Sequence, residues 1–225
     1  MGPRLAWAGY PRKGPLVFAR RSRKSARGQR EELALQPDYP LETARLRLRP
    51  FTRGDVDAVY DYRRRDDVAL YLFDVPLSRE ECALAVQQRI GQIALVEEED
   101  KIVLGVELMD DGTLIGEVSL ILRNLAARQA EIGWIFHPDH QGRGYATEAA
   151  IALLDLAFKD GGMHRVMARC DARNIASAKL MERLGMRREA HFREHALFKG
   201  EWDEEFIYAI LEREWPEKRR AHLPF

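Results

Sequence analysis

Cysteine is scarce in this chain. Cys82 and Cys170 are the only two in 225 residues, and they lie far apart. A disulfide framework or a cysteine zinc site needs more thiols at closer spacing, so both are set aside and a reducing cytoplasm is the expected setting. No apolar run approaches the roughly 20 residues of a membrane span, and no membrane partner is expected. Net charge is also missing, since 36 Lys and Arg balance 36 Asp and Glu. Nothing global therefore points to nucleic acid. The balance conceals an asymmetry: Met1–Arg30 carries nine basic residues and no acid, which leaves the remainder net acidic. No Gly-x-Ser-x-Gly elbow exists for His164, His191 or His195 to serve, which sets aside a serine hydrolase. His137 and His140 are close in sequence but lack further ligand pairs, so no metal is expected. What is present is the composition of a globular protein, 46% hydrophobic and 32% charged. The length suits one domain with an appendage.

The most informative stretch runs from Phe136 to Ala150. The apolar residues Ile132–Phe136 read as a strand. Ala149, Ala150, Leu153, Leu154, Ala157 and Phe158 recur at helical steps. Between them lies a loop with Gly142 and Gly144. A glycine loop that opens a helix presents unpaired backbone N–H groups at the positive end of the helix dipole, an arrangement suited to phosphate. The Walker loop is excluded because no Gly-Lys-Ser/Thr follows. The dinucleotide fingerprint is weakened because Thr147 stands where its third small residue belongs. What remains is Gln141-Gly142-Arg143-Gly144-Tyr145-Ala146, a Gln-x-x-Gly-x-Ala pattern.

The rest of the chain falls into place around that loop. Residues 1–40 hold scattered prolines, the basic run Arg20–Lys24 and no sustained period, so they read as a disordered N-terminal extension. An Arg- and Ser-rich, acid-free start also resembles an organelle transit peptide, and a basic arm suits an RNA phosphate backbone, hence a ribosome or RNA contact. The domain is expected over 41–215, with a short tail over 216–225. Leu46, Leu48 and Pro50 alternate with arginines as an edge strand. Thr52–Asp55 opens a helix, and Ser78 with Glu81 forms a capping box for another. Ile102–Glu107 and Leu114–Leu122 flank an Asp-Asp-Gly turn. Ala130–Phe136, His164–Cys170, Arg188–Phe198 and Trp202–Leu211 are further strands, with a helix from Asn174 to Leu184. The expected fold class is mixed α/β: a mostly antiparallel sheet of about seven strands with helices on both faces.

This order, with the loop, resembles the GNAT superfamily of N-acetyltransferases over Leu41 to about Trp215. Leu46–Pro50, Glu131–Trp134, Asn174–Ser177, Leu184–Met186 and Gly200–Asp203 with Tyr208 are similar to the branch that acetylates ribosomal-protein N-termini. The resemblance implies acetyl-CoA as co-substrate, no metal, and direct transfer to an amine in a ternary complex. It also implies that the strand before the loop parts from its neighbour, so that pantetheine lies against the backbone of Trp134, Ile135 and Phe136. Gln141, Gly142, Arg143, Gly144, Tyr145, Ala146 and Thr147 would hold the pyrophosphate. Asn174 is a natural N-cap, and the resemblance adds a cofactor contact to it. Ser177, three residues on, would serve the leaving sulfur.

The proton acceptor stays open between Glu131, on the strand leading to the loop, and Glu117 on the preceding strand. An α-amine titrates near pH 8, so water is a third possibility. The implied acceptor is a protein N-terminal amine. A small amine such as a polyamine or aminoglycoside is the alternative, and a non-catalytic acyl-CoA sensor is the reading from a different class. A monomer or a homodimer suits either.

Overall fold

Alternating apolar residues build strands here, and their pairing order decides where the sheet is whole and where it opens. The computed structural model describes residues 34–221 except 73 and 199. The basic run, with its transit-peptide and RNA readings, lies outside the described residues, as does Lys199 of the last turn. Eight strands form one sheet: β1 (Leu41–Glu42), β2 (Leu46–Pro50), β3 (Lys101–Leu108), β4 (Leu114–Asn124), β5 (Gln129–Phe136), β6 (Arg165–Asp171), β7 (Arg187–Phe198) and β8 (Glu201–Leu211). Their spatial order is β1-β2-β3-β4-β5-β6-β8-β7. Among the described residues the single parallel pair is β5 with β6, so the sheet is mixed and mostly antiparallel. Its helices are α1 (Val56–Arg63), α2 (Asp66–Ala69), α3 (Arg79–Arg89), α4 (Tyr145–Asp155), α5 (Ile175–Arg183) and α6 (Trp215–Arg220).

The two faces of the sheet are covered differently. Val118, Leu120, Leu122, Ala130, Ile132, Val166, Ala168, Tyr208 and Ile210 bury one face in a core shared with Leu153 and Leu154 of α4 and Met181 of α5. Opposite, a smaller cluster joins Val103 and Ile135 to Val59 and Tyr62 of α1 and Val86 of α3. The capping box at the start of α3 forms as its spacing dictates: Glu81 N donates to Ser78 Oγ at 3.2 Å and Ser78 N to Glu81 Oε2 at 2.8 Å. Both satisfy N–H groups that the first turn leaves unpaired.

Three boundaries differ from the sequence reading. Leu46–Pro50 is not the edge, because Leu41–Glu42 pairs outside it. Ordered packing begins before residue 41: Leu35 is buried and exchanges two backbone bonds with Leu95, at 3.0 and 2.9 Å. One isolated bridge has no period for a sequence to show. At the other end α6 belongs to the domain, since Trp215 is 2% exposed and Arg219 Nε reaches Asp155 Oδ2 at 2.9 Å. The helix after the loop is also prolonged by a π turn, Leu156–Asp160, before Gly161.

Candidate functional site

The parallel ladder between β5 and β6 is short. It joins Gln129 to Arg165, Ala130 to Val166 and Glu131 to Met167, and there it ends. Beyond that point Ile132–Phe136 continue to pair with β4, while Ala168–Asp171 continue to pair with β8. The two strands therefore part after Glu131, which leaves an opening between them where the ladder ends. Trp134, Ile135 and Phe136 lie on β5 beyond the last β5–β6 pair.

The glycine loop closes the top of this opening. Gly142 and Gly144 have φ of +76° and +83°, values at which a side chain crowds its own backbone. A Cβ at Gly142 would meet nothing within 4 Å, so the loop faces open space and admits a ligand up to the backbone. Gly144 is the N-cap of α4, whose first-turn N–H groups point into that space. Gln141 Nε2 donates to Phe136 O at 3.2 Å and fastens the loop to the strand before it. A clamp that the sequence did not reveal holds the loop from outside. Arg45 Nη1 donates to Arg143 O at 3.0 Å, and Arg45 Nε to Glu148 Oε2 at 2.8 Å. The Arg45 guanidinium also lies 4.6 Å from the Tyr145 ring centroid. Thr43 Oγ1 donates to the same Glu148 at 2.6 Å. Ala146 and Thr147 follow in the first turn. A cleft of about 1030 Å³ runs from Gly144 and Thr147 along α4 towards Arg183 and Arg219. It touches the loop but neither Trp134 nor Ser177.

Across the opening stands α5. Asn174 caps it, its Oδ1 accepting from Ser177 N at 3.0 Å. Ser177 Oγ accepts the indole N–H of Trp134 at 3.3 Å, a bond that spans from β5 to α5. As an acceptor in that bond, the hydroxyl keeps its own O–H to donate.

The carboxylates lie on the opposite face. Glu131 sits where the sheet closes, and both its oxygens are engaged: Arg123 Nε donates to Oε2 at 2.8 Å and Arg169 Nε to Oε1 at 3.1 Å. Glu117 accepts from Tyr62 Oη at 3.0 Å and Arg89 Nη2 at 2.8 Å. A chain of polar contacts continues from Glu131. Arg169 Nη1 approaches Glu205 Oε1 at 3.4 Å, His195 Nε2 approaches Glu205 Oε2 at 3.5 Å, and His195 Nδ1 approaches Asp203 Oδ1 at 3.4 Å. Burial pushes the Glu205 carboxyl above the ordinary glutamate range, against the pull of Arg169 and His195. Glu205 was absent from the sequence reading, and Asp203 entered it only within the Gly200–Asp203 stretch, without a role. Their one signal was acidic residues alternating on a strand otherwise rich in buried positions.

Other candidates fall away. The Cys170 thiol is pushed up to about 12 by burial, far from a thiolate nucleophile at neutral pH. His137 Nε2 lies 3.2 Å from Asp61 Oδ2. Among the described residues no group of three or more His, Cys, Asp or Glu could hold a metal ion, and no helix is long and apolar enough to cross a membrane.

Comparison with known proteins agrees with this geometry. Residues 45–187 match the sequence model of the acetyltransferase (GNAT) domain. The N-acetyltransferase YnaD of Bacillus subtilis is 37% identical over 78% of this chain and 98% of its own length. YdaF of the same species, which carries the name of a ribosomal N-acetyltransferase, is 32% identical over 49% of this chain and 62% of its own. Among solved structures, the spermidine N-acetyltransferase of Vibrio cholerae in complex with CoA and spermine superposes with a TM-score of 0.66 at 26% identity, covering 77% of this chain and 99% of that one.

Proposed function

The chain belongs to the acetyltransferase (GNAT) family and is an N-acetyltransferase; from that premise we propose that it moves the acetyl group of acetyl-CoA to a protein N-terminal amine, by direct attack across the open sheet. The observation that carries the reading is the coincidence of the parted strands with an open glycine loop at the head of α4. The backbone from Gly142 to Thr147 would hold the pyrophosphate, with Arg143 beside it, while Gln141 braces the loop and Asn174 sets the α5 turn that carries Ser177. Trp134, Ile135 and Phe136 would line the pantetheine arm. Acetyl-CoA supplies a thioester, whose thiol is a good leaving group.

The chain's own part is to place the amine, take its proton and serve the sulfur. Trp134 holds Ser177 Oγ from one side, which aims the remaining O–H. We infer that Ser177 donates to the departing sulfur, where an S–H bond replaces the broken C–S bond. Ser177→Ala is then expected to lower kcat about tenfold to a thousandfold while acetyl-CoA affinity holds. Glu131, engaged by two arginines, reads better as the pin that fixes the point where the strands part than as the proton acceptor.

The Vibrio cholerae relative and the carboxylates Asp203 and Glu205 favour a second reading, a polyamine acceptor. A screen of acetyl-CoA consumption against peptides with varied N-termini, spermidine and an aminoglycoside separates the two. Peptide turnover alone supports the first reading and spermidine turnover alone the second. No turnover of any amine by protein that binds acetyl-CoA would leave the sensor reading.

A further inference from the structure

Register places the carboxylates at different heights on the opening. Glu131 pairs with Met167, at the closed end. Four residues on, Ile135 is the cross-strand neighbour of Glu117, about 13 Å further along at the usual strand rise. Extending the β5–β6 register by the same four residues brings Ile135 level with Asp171, and Asp171 pairs with Glu205. Glu117 and Glu205 therefore flank the open part of the gap, one from each arm, close to the height of Trp134 and its bond to Ser177. Of the pair, Glu117 is committed to Tyr62 and Arg89. Glu205 has neighbours at 3.4–3.5 Å, longer than the hydrogen bonds of 2.8–3.1 Å that engage both oxygens of Glu117 and Glu131. Beside it Asp203 is 3% exposed, and its Oδ1 is buried with no hydrogen bond among the described residues beyond the 3.4 Å approach of His195 Nδ1. A buried oxygen left so is costly unless a ligand completes it.

We propose that Glu205 is the group that accepts the proton of the incoming ammonium, with Asp203 completing the acceptor's polar contacts and His195 and Arg169 positioning the carboxylate. The proposal rests on the acetyltransferase reading and names the acceptor side of its site. The substrate class is a cationic primary amine, which the two carboxylates draw in as the ammonium. One proton passes from nitrogen to Glu205 and then to solvent. The neutral amine attacks the thioester carbon, a C–N bond forms and the C–S bond breaks. The second proton lost from nitrogen balances the one gained by sulfur. The groups facing Glu205 are Arg169 on β6, Glu131 on β5, His195 on β7 and Asp203 on β8. Burial raises Glu205 towards the range in which a carboxylate base is most effective at neutral pH.

The test is kcat/KM for the acceptor against pH, using whichever peptide or spermidine probe the parent acetylates, for Glu205→Gln, Glu205→Asp and Glu131→Gln. Acetyl-CoA-induced thermal stabilisation is measured alongside on each variant. Glu205→Gln is expected to lose about a hundredfold or more near pH 6.5, with the deficit shrinking as pH rises and the ammonium loses its proton unaided. Its acetyl-CoA stabilisation should equal the parent's, which also shows that it folds. Glu205→Asp should recover part of the rate, and Glu131→Gln should show no such convergence with pH. Parent-like rates for Glu205→Gln at every pH would overturn the proposal, as would a deficit that stays constant with pH. Parent protein without acetyl-CoA stabilisation would instead sink the family-based reading beneath it.

Discussion

One face of the sheet is closed with hydrocarbon, the other with a smaller apolar cluster and a group of buried ions. Towards α4 and α5, Leu120, Leu122, Ile132, Val166 and Ile210 pack against Leu153, Leu154 and Met181. The opposite face carries Glu117, Arg123, Glu131, Arg169, Asp203 and Glu205, with Ser119 buried among the strands. Dense apolar packing holds the strands in place whether or not they pair. The sheet can therefore part at Glu131 without falling open. The charged face packs a smaller apolar cluster, and each buried ion there depends on its partner. What it offers is a polar floor beside the opening, where a cationic acceptor finds carboxylates.

The comparison breaks first at Glu117. Glu117→Ala leaves Arg89 buried without its carboxylate, while Arg63 keeps Asp74 at 3.0 Å; an uncompensated buried charge of this kind costs about 3–5 kcal/mol. Leu153→Ala on the apolar face should cost about 2–5 kcal/mol through its cavity. Urea unfolding of both variants checks the pair. If Glu117→Ala unfolds at the parent's midpoint, the charged face is not held by its ion pairs.

At the loop, Gly144→Glu puts a carboxylate and a positive-φ side chain where phosphate should approach. Acetyl-CoA affinity is expected to fall by about a hundredfold, since charge and backbone both oppose binding. Calorimetric titration reads this directly, and an unchanged Kd would move the anion site away from the loop.

The pH response should also divide by face. Burial alone pushes the Asp55 carboxyl up, but hydrogen bonds from Arg49 and from the Thr52 N–H outweigh it and hold the group below its ordinary value. A depressed folded-state carboxyl contributes stability above its unfolded value, and that contribution is lost as pH falls through the folded one. Melting temperature should therefore drop on acidification in the parent and drop less in Asp55→Asn. Equal slopes would remove Asp55 from the account.

Local signals made most of the scaffold legible. The Ser78 capping box, the Asn174 cap and the glycine loop each act within a few residues, so spacing alone revealed them. The Arg45 clamp joins residues about a hundred positions apart, and the line from Glu131 to Asp203 crosses four strands whose spatial order is not their chain order. No periodicity encodes such meetings. The same limit explains Leu35, α2 and α6: each is too short to carry a pattern, and each is held by tertiary contacts. Removing residues 1–33 should leave melting temperature and acetyl-CoA affinity at the parent's values, the smallest effect expected. Removing 1–40 also strips Leu35 from Leu95, so a clear loss of stability should separate the two truncations. A loss of similar size in both would place the start of the fold earlier.

The most direct test of the central claim, that the loop and the parted strands together hold acetyl-CoA, is thermal unfolding of the unmodified chain over an acetyl-CoA titration. The account predicts saturable stabilisation, about 2.7 kcal/mol at a hundredfold excess over Kd, with none from a nicotinamide dinucleotide. A folded protein whose melting temperature ignores acetyl-CoA would contradict it.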